Sequence, residues 1–211
     1  MRPSAFLILI CFLSFGCADK KEKDKIPAAD TIKVDTASSQ KTEKIFNSLA
    51  PVDISPMDIS YYPADYPKLK MAKPDMEPPI AKVVYSRPHL QGRQLFHDVL
   101  KYDEPWRLGA NEASEIDFYK AVLIQGKKIN PGRYVIYSIP GKDKWTIILN
   151  SNIDSWGLHP DASKDIARFT VPVSQTTNAI EYFTMIFQPT KTGADLLMAW
   201  DNIEVKLPIA F

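Results

Sequence analysis

Cysteine and histidine are scarce in this chain of 211 residues. Both cysteines, Cys11 and Cys17, lie at the extreme N-terminus, so neither can form a disulfide within the folded body or act there as a catalytic thiol. Three histidines are too few for a histidine-rich metal tract. The sequence also lacks a Gly-x-Ser-x-Gly elbow, a phosphate-binding glycine loop and a dinucleotide fingerprint. We therefore predict no metal site, no cofactor and a fold that depends on burial of apolar side chains.

An excess of charge of either sign is absent as well. The chain has 26 Lys and Arg against 25 Asp and Glu, and its first 16 residues contain Arg2 and no acidic residue. Removal of those residues leaves equal numbers of the two signs. Nucleic-acid binding depends on a clustered excess of Lys and Arg. The balance of charge therefore predicts that nucleic acid is not a partner.

No hydrophobic run reaches the roughly 20 residues that a membrane-spanning helix needs. A shorter run, residues 5–16, follows Arg2 and ends directly before Cys17. A positive start, a short apolar run and a small residue before the break are typical of a signal peptide. We therefore predict that residues 1–16 are an export signal.

Cys17 follows Gly16 directly, and this arrangement resembles the lipobox of bacterial lipoproteins, in which the cysteine is diacylated and becomes the first residue of the mature chain. Ser14 and Phe15 depart from the leucine and the small residue that the motif prefers. The alternative is an ordinary cysteine beside a plain secretory cleavage site. We predict that a lipid on Cys17 anchors the protein to a membrane and leaves the domain in water. Ala18 does not resemble an inner-membrane retention signal, so we expect a location at the outer membrane of the bacterial cell envelope.

Two segments separate this anchor from the domain. Residues 17–47 are mostly polar and mixed in charge, a composition typical of a flexible tether. Residues 48–80 contain seven prolines between Pro51 and Pro79, interspersed with methionine and tyrosine. So many prolines exclude a helix or a central strand, whereas the apolar content is too high for a simple linker. We predict an extended arm that packs on the domain.

Residues 81–211 consist of short runs rich in β-branched and aromatic residues, separated by turn signals. These runs predict an all-β fold, an antiparallel β-sandwich of about nine strands with one or two short helical turns near 94–100 and 163–167. Residues 180–187 are apolar on both faces, which predicts a central strand. Pro172 predicts an edge or a bulge. The predicted strands are 82–85, 115–119, 122–124, 133–139, 145–149, 168–173, 180–187, 196–200 and 203–209.

One loop-rich segment, residues 85–112, carries most of the side chains suited to binding. An arginine fork binds carboxylate or phosphate through two hydrogen bonds and also stacks on tryptophan. We therefore expect an anionic or sugar-like small molecule, or an envelope protein, to bind here. The candidate ligand-binding residues are Arg87, Arg93, Trp106, Arg107, Asn111 and Glu112. Trp145, Trp156 and Trp200 lie in or beside predicted strands, and we expect them in the core.

Two alternatives remain open for this segment. Arg107 could pair with Glu112 or Glu115 inside the fold and lock the loop, since a buried arginine needs an acidic partner. Alternatively, Glu112 could be the catalytic acid of an enzyme that hydrolyses envelope glycans or esters, which requires a second carboxylate nearby. Several acids are available in the sequence, namely Asp98, Asp103, Glu104, Glu115 and Asp117. The first hypothesis is a binding protein without catalytic activity.

Several short motifs resemble a bacterial family known only as domain of unknown function 2911. The most specific is Trp106-Arg-Leu-Gly-Ala-Asn-Glu112, and Tyr85-Ser-Arg-Pro88, Gly132-Arg-Tyr134, Trp156-Gly157 and Ala199-Trp200-Asp201 occur in the same order. The resemblance extends from near Leu49 to the C-terminus. It implies a fold of exported bacterial proteins and implies no activity.

Overall fold

The computed structural model describes residues 53–211. The predicted signal peptide, Cys17 and the predicted tether lie outside the described residues. The described chain forms nine strands: β1 (Met57–Tyr62), β2 (Ala81–Ser86), β3 (Glu115–Phe118), β4 (Val122–Ile124), β5 (Lys127–Ile129), β6 (Gly132–Pro140), β7 (Lys144–Asn150), β8 (Asp165–Pro189) and β9 (Gly193–Ala210). Its helical elements are one short helix, α1 (Tyr66–Ala72), a π-helical turn (Leu95–Val99) and a 3₁₀ turn (Ala162–Lys164).

The strands form one sheet in the order β1-β2-β3-β6-β7-β8-β9-β4-β5, and every pair of neighbours is antiparallel. The predicted all-β fold is therefore confirmed. The number of strands agrees with the prediction, although β8 and β9 each join two predicted strands, and β1 and β5 were not predicted. The predicted helical turns near 94–100 and 163–167 are present as the π-helical and 3₁₀ turns.

Strand β8 connects the two halves of the sheet. Pro172 is its last residue opposite β7, and Val173 is its first opposite β9. Register shifts follow between Gln175 and Ile180 and between Ile180 and Thr184. Such irregularities bend a strand and increase its twist. The predicted irregularity at Pro172 thus lies at the point where β8 changes partner.

The two halves of the sheet face each other across one apolar core, which gives a sandwich-like arrangement. Tyr62 on β1 stacks on Phe211 at 4.8 Å and donates a hydrogen bond to the carbonyl of Gly193 at 3.0 Å, although β1 and β9 are far apart in strand order. Between the halves, Tyr85 on β2 meets Phe183 on β8 edge to face at 5.7 Å. Both Trp145 and Trp200 lie in this core, as predicted.

The segment predicted as an extended arm is partly helical and partly a strand of the sheet. Strand β1 pairs with β2 along its full length and forms one edge of the sheet. Helix α1 begins at Tyr66 with Pro67 in its first turn. The prediction that proline excludes a helix here was wrong, because the first-turn N–H groups of a helix have no intrahelical acceptor and proline is tolerated there. Within residues 53–211, no helix has the length and apolar character needed to cross a membrane.

Residues 180–187 belong to β8, which lies between β7 and β9 in the sheet, so the prediction of a central strand is confirmed, although one face of this part of the strand is not buried. Phe183, Met185 and Phe187 are buried, but Tyr182 and Ile186 are 42% and 40% exposed. The alternation shows that this part of β8 has one face in the core and one in water. Apolar residues on the outer face are common in proteins and do not imply burial.

Candidate functional site

Three of the six predicted site residues, Arg93, Trp106 and Arg107, line a single cleft of about 370 Å³. We call it the cationic cleft. Trp200 also contributes to its lining. The remaining lining residues are mostly apolar or small: Ile54, Ser55, Pro88, Val99, Leu100, Pro105, Gly109, Ala110, Gly157 and Leu158. The cationic cleft therefore combines two arginines with an aromatic and aliphatic surface, and its lining includes no acidic residue.

Arg107 is held by Trp156. Its Nη1 donates a hydrogen bond to the carbonyl of Trp156 at 3.2 Å, and its Cζ lies 5.8 Å from the centroid of that indole ring. Burial lowers the pKa of Arg107, and the nearby charge of Glu112 only partly opposes this effect. Within residues 53–211, Arg107 forms no ion pair with a carboxylate, so the predicted pairing with Glu112 or Glu115 was wrong. Glu115 instead lies 3.6 Å from Nε of Arg133.

Arg93 is held by backbone carbonyls. Its Nε donates to the carbonyl of Leu90 at 2.8 Å, and its Nη2 donates to the carbonyl of His89 at 2.7 Å. Among the described residues, it too forms no ion pair. These bonds fix the guanidinium, which is exposed to solvent and lies near the charge of Asp98 without forming an ion pair with it. Both arginines of the cationic cleft therefore retain a positive charge that an anion could offset.

Both the backbone and the indole ring of Trp106 are held by neighbouring residues. Its backbone exchanges two hydrogen bonds with Ser138 on β6, at 2.7 and 2.8 Å, and its Nε1 donates to the carbonyl of Gly109 at 3.2 Å. Its ring stacks on Trp200 at 5.7 Å and meets Trp145 edge to face at 5.9 Å. The indole thus forms a rigid part of the cleft wall that joins the core.

The other three predicted residues do not line the cationic cleft. Arg87 donates to the carbonyl of Phe183 at 3.3 Å, to Asp58 at 3.2 Å and to Oγ1 of Thr184 at 3.1 Å, so it links β1, β2 and β8. These three contacts occupy its guanidinium within the fold. The geometry indicates a structural role for Arg87.

Asn111 and Glu112 follow in the same loop but do not line the cationic cleft. Asn111 has a φ of +58°, and its Nδ2 donates to Asp53 at 2.5 Å, which connects the loop to the segment before β1. Glu112 is exposed and lines a neighbouring cleft of about 460 Å³, the acidic cleft, together with Glu115 and Asp154. Within the part of the chain that the structure describes, no cluster of three or more His, Cys, Asp or Glu side chains is arranged to hold a metal ion.

Comparison with known proteins identifies the family. A family model described as a protein of unknown function, DUF2911, matches residues 69–209, which is more than half of the chain. The chain belongs to this family. No curated protein and no solved structure matches it. The resemblance inferred from the motifs is thus confirmed, and Arg93, Trp106 and Arg107 all lie inside the DUF2911 match.

Two exposed residues at the two clefts, Trp156 in the acidic cleft and Leu158 in the cationic cleft, were not predicted as site residues. Trp156, which was expected in the core, is 56% exposed, and Leu158, at the mouth of the cationic cleft, is 57% exposed. Between them, Gly157 has a φ of +79°, and a Cβ there would lie 2.8 Å from Cβ of Ala113 and 3.0 Å from Cβ of Arg107. In the sequence, the Trp156-Gly157 dipeptide was the only pattern that pointed to this exposed loop.

Proposed function

We propose that this DUF2911 protein is a binding protein without catalytic activity, and that its cationic cleft binds a small molecule through an anionic group. One observation carries the proposal. Arg93 and Arg107 line the same cleft, both are fixed by backbone carbonyls, and neither forms an ion pair within the described residues. Arg107 is partly removed from water, which is costly for its charge, and a bound anion would offset that cost; Arg93 is exposed and would add a second charged donor.

The arrangement of the two arginines suits recognition. Their side chains are already oriented by hydrogen bonds, so little rotamer entropy remains to be lost when a ligand binds. A guanidinium binds carboxylate or phosphate oxygens through charge-assisted hydrogen bonds, which are about twice as strong as neutral ones. Pre-oriented donors beside a rigid aromatic wall are typical of a small-molecule site.

The direct test is binding of anions to the wild-type protein and to Arg107→Gln, measured by isothermal titration calorimetry. Hydrogen bonds to charged groups contribute about 1.5–3 kcal/mol, so loss of one arginine should weaken binding by about tenfold to a hundredfold. Arg133→Gln is the matched control, because Arg133 is an exposed arginine whose ion pairs with Glu115 and Asp117 lie outside the cationic cleft. Equal weakening in the two variants would refute the proposal.

We also propose that the protein is a lipoprotein of the bacterial envelope, anchored at the outer membrane through Cys17. The support is the order of Arg2, the apolar run 5–16 and the cysteine that follows Gly16. The test is labelling of expressing bacteria with an alkyne fatty acid. The wild-type chain should incorporate the label and Cys17→Ser should not; an unlabelled wild-type chain would remove this part of the proposal.

A second candidate function is hydrolysis of an envelope glycan or ester at the acidic cleft. The observation in its favour is that Glu112 is exposed to a cleft that also contains Asp154 and Glu115, rather than buried against an arginine. Glu115 is already engaged, since it accepts a hydrogen bond from the backbone of Asp154 at 3.1 Å and lies beside Arg133. The test is turnover of p-nitrophenyl acetate and of purified peptidoglycan by wild type and Glu112→Gln. Loss of turnover in Glu112→Gln would support this candidate over the binding protein.

A further inference from the structure

We infer that the ligand of the cationic cleft is an amphipathic anion, a compact apolar body that carries one carboxylate or phosphate, rather than a sugar. This inference rests on the proposed function and adds the chemistry of the part of the ligand that the arginines do not contact. The inference depends on which hydrogen-bonding side chains in the lining are free and which already have a partner within the protein.

The side chains of the cleft offer few partners for hydroxyl groups. Apart from the two arginines, Ser55 is the only lining residue with a hydroxyl, amide or carboxylate side chain. Both indole N–H groups are occupied, because Nε1 of Trp106 donates to Gly109 and Nε1 of Trp200 donates to the carbonyl of Glu181 at 3.0 Å. A sugar would have to give up water at several hydroxyls without replacement, which costs free energy for each group left unpaired.

The rest of the lining suits an apolar body. Val99, Leu100 and Pro105 form an aliphatic part of the lining, and the indoles of Trp106 and Trp200 form an aromatic part. At the mouth, Ile54 and Leu158 are 72% and 57% exposed. An apolar ligand would remove these side chains from water, which is favourable in proportion to the area buried.

The size of the cleft limits the ligand. Its volume of about 370 Å³ is near the lower end of the range for small-molecule sites, about 300–1,000 Å³. One fused ring system or a short branched chain would fill it. Arg93 and Arg107 line the same cleft as these apolar residues, so one small molecule with an acidic group and an apolar body can contact both.

The experiment uses three probes that separate charge from apolar character. The first is 2-naphthoate, the second is 2-naphthalenemethanol, which keeps the ring and loses the charge, and the third is glucuronate, which keeps the carboxylate on a hydrophilic body. Binding is measured by calorimetry on the chain from Cys17 onward. We expect 2-naphthoate to bind at least about tenfold more tightly than either of the others, because each lacks one of the two interactions.

Two variants complete the test. Arg107→Gln should weaken binding of 2-naphthoate by about tenfold or more, and Leu158→Ser, at a position that is 57% exposed, should weaken it to a smaller extent. If glucuronate binds as tightly as 2-naphthoate and depends on Arg107, the proposed function stands and the amphipathic ligand is wrong. If the alcohol binds as tightly as the acid, or if neither acid binds at millimolar concentration, the proposed function itself fails.

Discussion

The guanidinium of Arg107 lies over the indole ring of Trp156 and donates a hydrogen bond to the carbonyl of that same residue, at 3.2 Å. A cation over an indole face is attracted by the ring quadrupole. The two contacts attach the loop after β7 to the loop before β3. Arg107 and Trp156 thus join the cationic cleft, which Arg107 lines, to the acidic cleft, which Trp156 lines.

We predict that Gly157→Ala destabilises the protein and weakens anion binding. The position has a φ of +79° and the new Cβ would overlap Ala113 and Arg107. The left-handed backbone costs about 1–2 kcal/mol for a residue other than glycine, and overpacking adds about 1–3 kcal/mol. Urea unfolding gives the free energy of unfolding, and calorimetry gives the affinity.

Gly92→Ala is the matched control for this substitution. Gly92 has a similar φ of +76°, but nothing lies within 4 Å of the position its Cβ would take. Gly92→Ala should therefore lower the free energy of unfolding only by the cost of the left-handed backbone, about 1–2 kcal/mol. An equal loss in the two variants would contradict the close packing of the Gly157 loop against Arg107.

Arg87→Gln and Arg107→Gln should have opposite effects on stability and binding. Arg87 makes three hydrogen bonds that link β1, β2 and β8, so its loss should reduce the free energy of unfolding by about 1–2 kcal/mol and leave anion binding unchanged. Arg107 makes one hydrogen bond and has no ion pair among the described residues, so its loss should change stability by less than about 1 kcal/mol and weaken binding. Thermal unfolding and calorimetry on both variants separate the two roles. Loss of binding in Arg87→Gln with unchanged stability would contradict the assignment.

Much of the fold was accessible from local patterns in the sequence. The strand predicted over 203–209 is present within β9, and its alternating apolar residues Val205, Leu207 and Ile209 are buried, because the side chains of a strand point alternately to its two faces. The sequence did not predict that β8 and β9 would each join two of the predicted strands. Residues between 173 and 180 continue β8 only because β9 pairs with them across a register shift between Gln175 and Ile180, and that partner is supplied by tertiary structure.

The candidate site was accessible in part. Arg93, Trp106 and Arg107 were predicted because charge and an aromatic ring in one loop-rich segment indicate binding, and they do line one cleft. Arg87 was not distinguishable from them by sequence, since its three acceptors come from β1 and β8. Trp156 was predicted as a core residue because a tryptophan beside a strand is usually packed, whereas its exposure follows from the path of the Gly157 loop.

Two buried serines, Ser114 and Ser138, test how hydrogen bonding of a buried hydroxyl affects the stability of the protein. Ser138 and Ser114 are both fully buried, but Oγ of Ser114 donates to the carbonyl of Leu108 at 2.6 Å, whereas Oγ of Ser138 has no hydrogen-bond partner among the described residues. Ser138→Ala should leave stability unchanged or raise it by about 1 kcal/mol, because it removes an unpaired polar group. Ser114→Ala should lower stability by about 1–3 kcal/mol, because it leaves a buried carbonyl with one partner fewer. Urea unfolding of the two variants measures both values, and equal losses would mean that Ser138 has a partner in solution.

The stability of the protein should fall at alkaline pH because of Tyr85 and Tyr137. Burial raises the pKa of each phenol to about 12, and in Tyr137 the hydrogen bond to Asp165 at 2.9 Å adds to the rise. An unfolded tyrosine has a pKa of about 10, so between about pH 10 and 12 the unfolded chain has lost a proton that the folded chain retains. The unfolded state then binds fewer protons, and the free energy of unfolding decreases with rising pH by up to about 1.4 kcal/mol per pH unit for each tyrosine. Below about pH 10 both states are protonated, and this contribution is fully present.

The measurement is urea unfolding at a series of pH values from about 9 to 12 on wild type, Tyr137→Phe and Tyr85→Phe. Each substitution removes one titrating group and should reduce the alkaline slope by about half of the part due to these two residues. Tyr119→Phe is the control for loss of a phenol at a surface position, since Tyr119 is 43% exposed. A slope in Tyr137→Phe as steep as that of wild type would show that the phenol of Tyr137 ionises equally in the folded and unfolded chains, and that its contact with Asp165 does not form in solution.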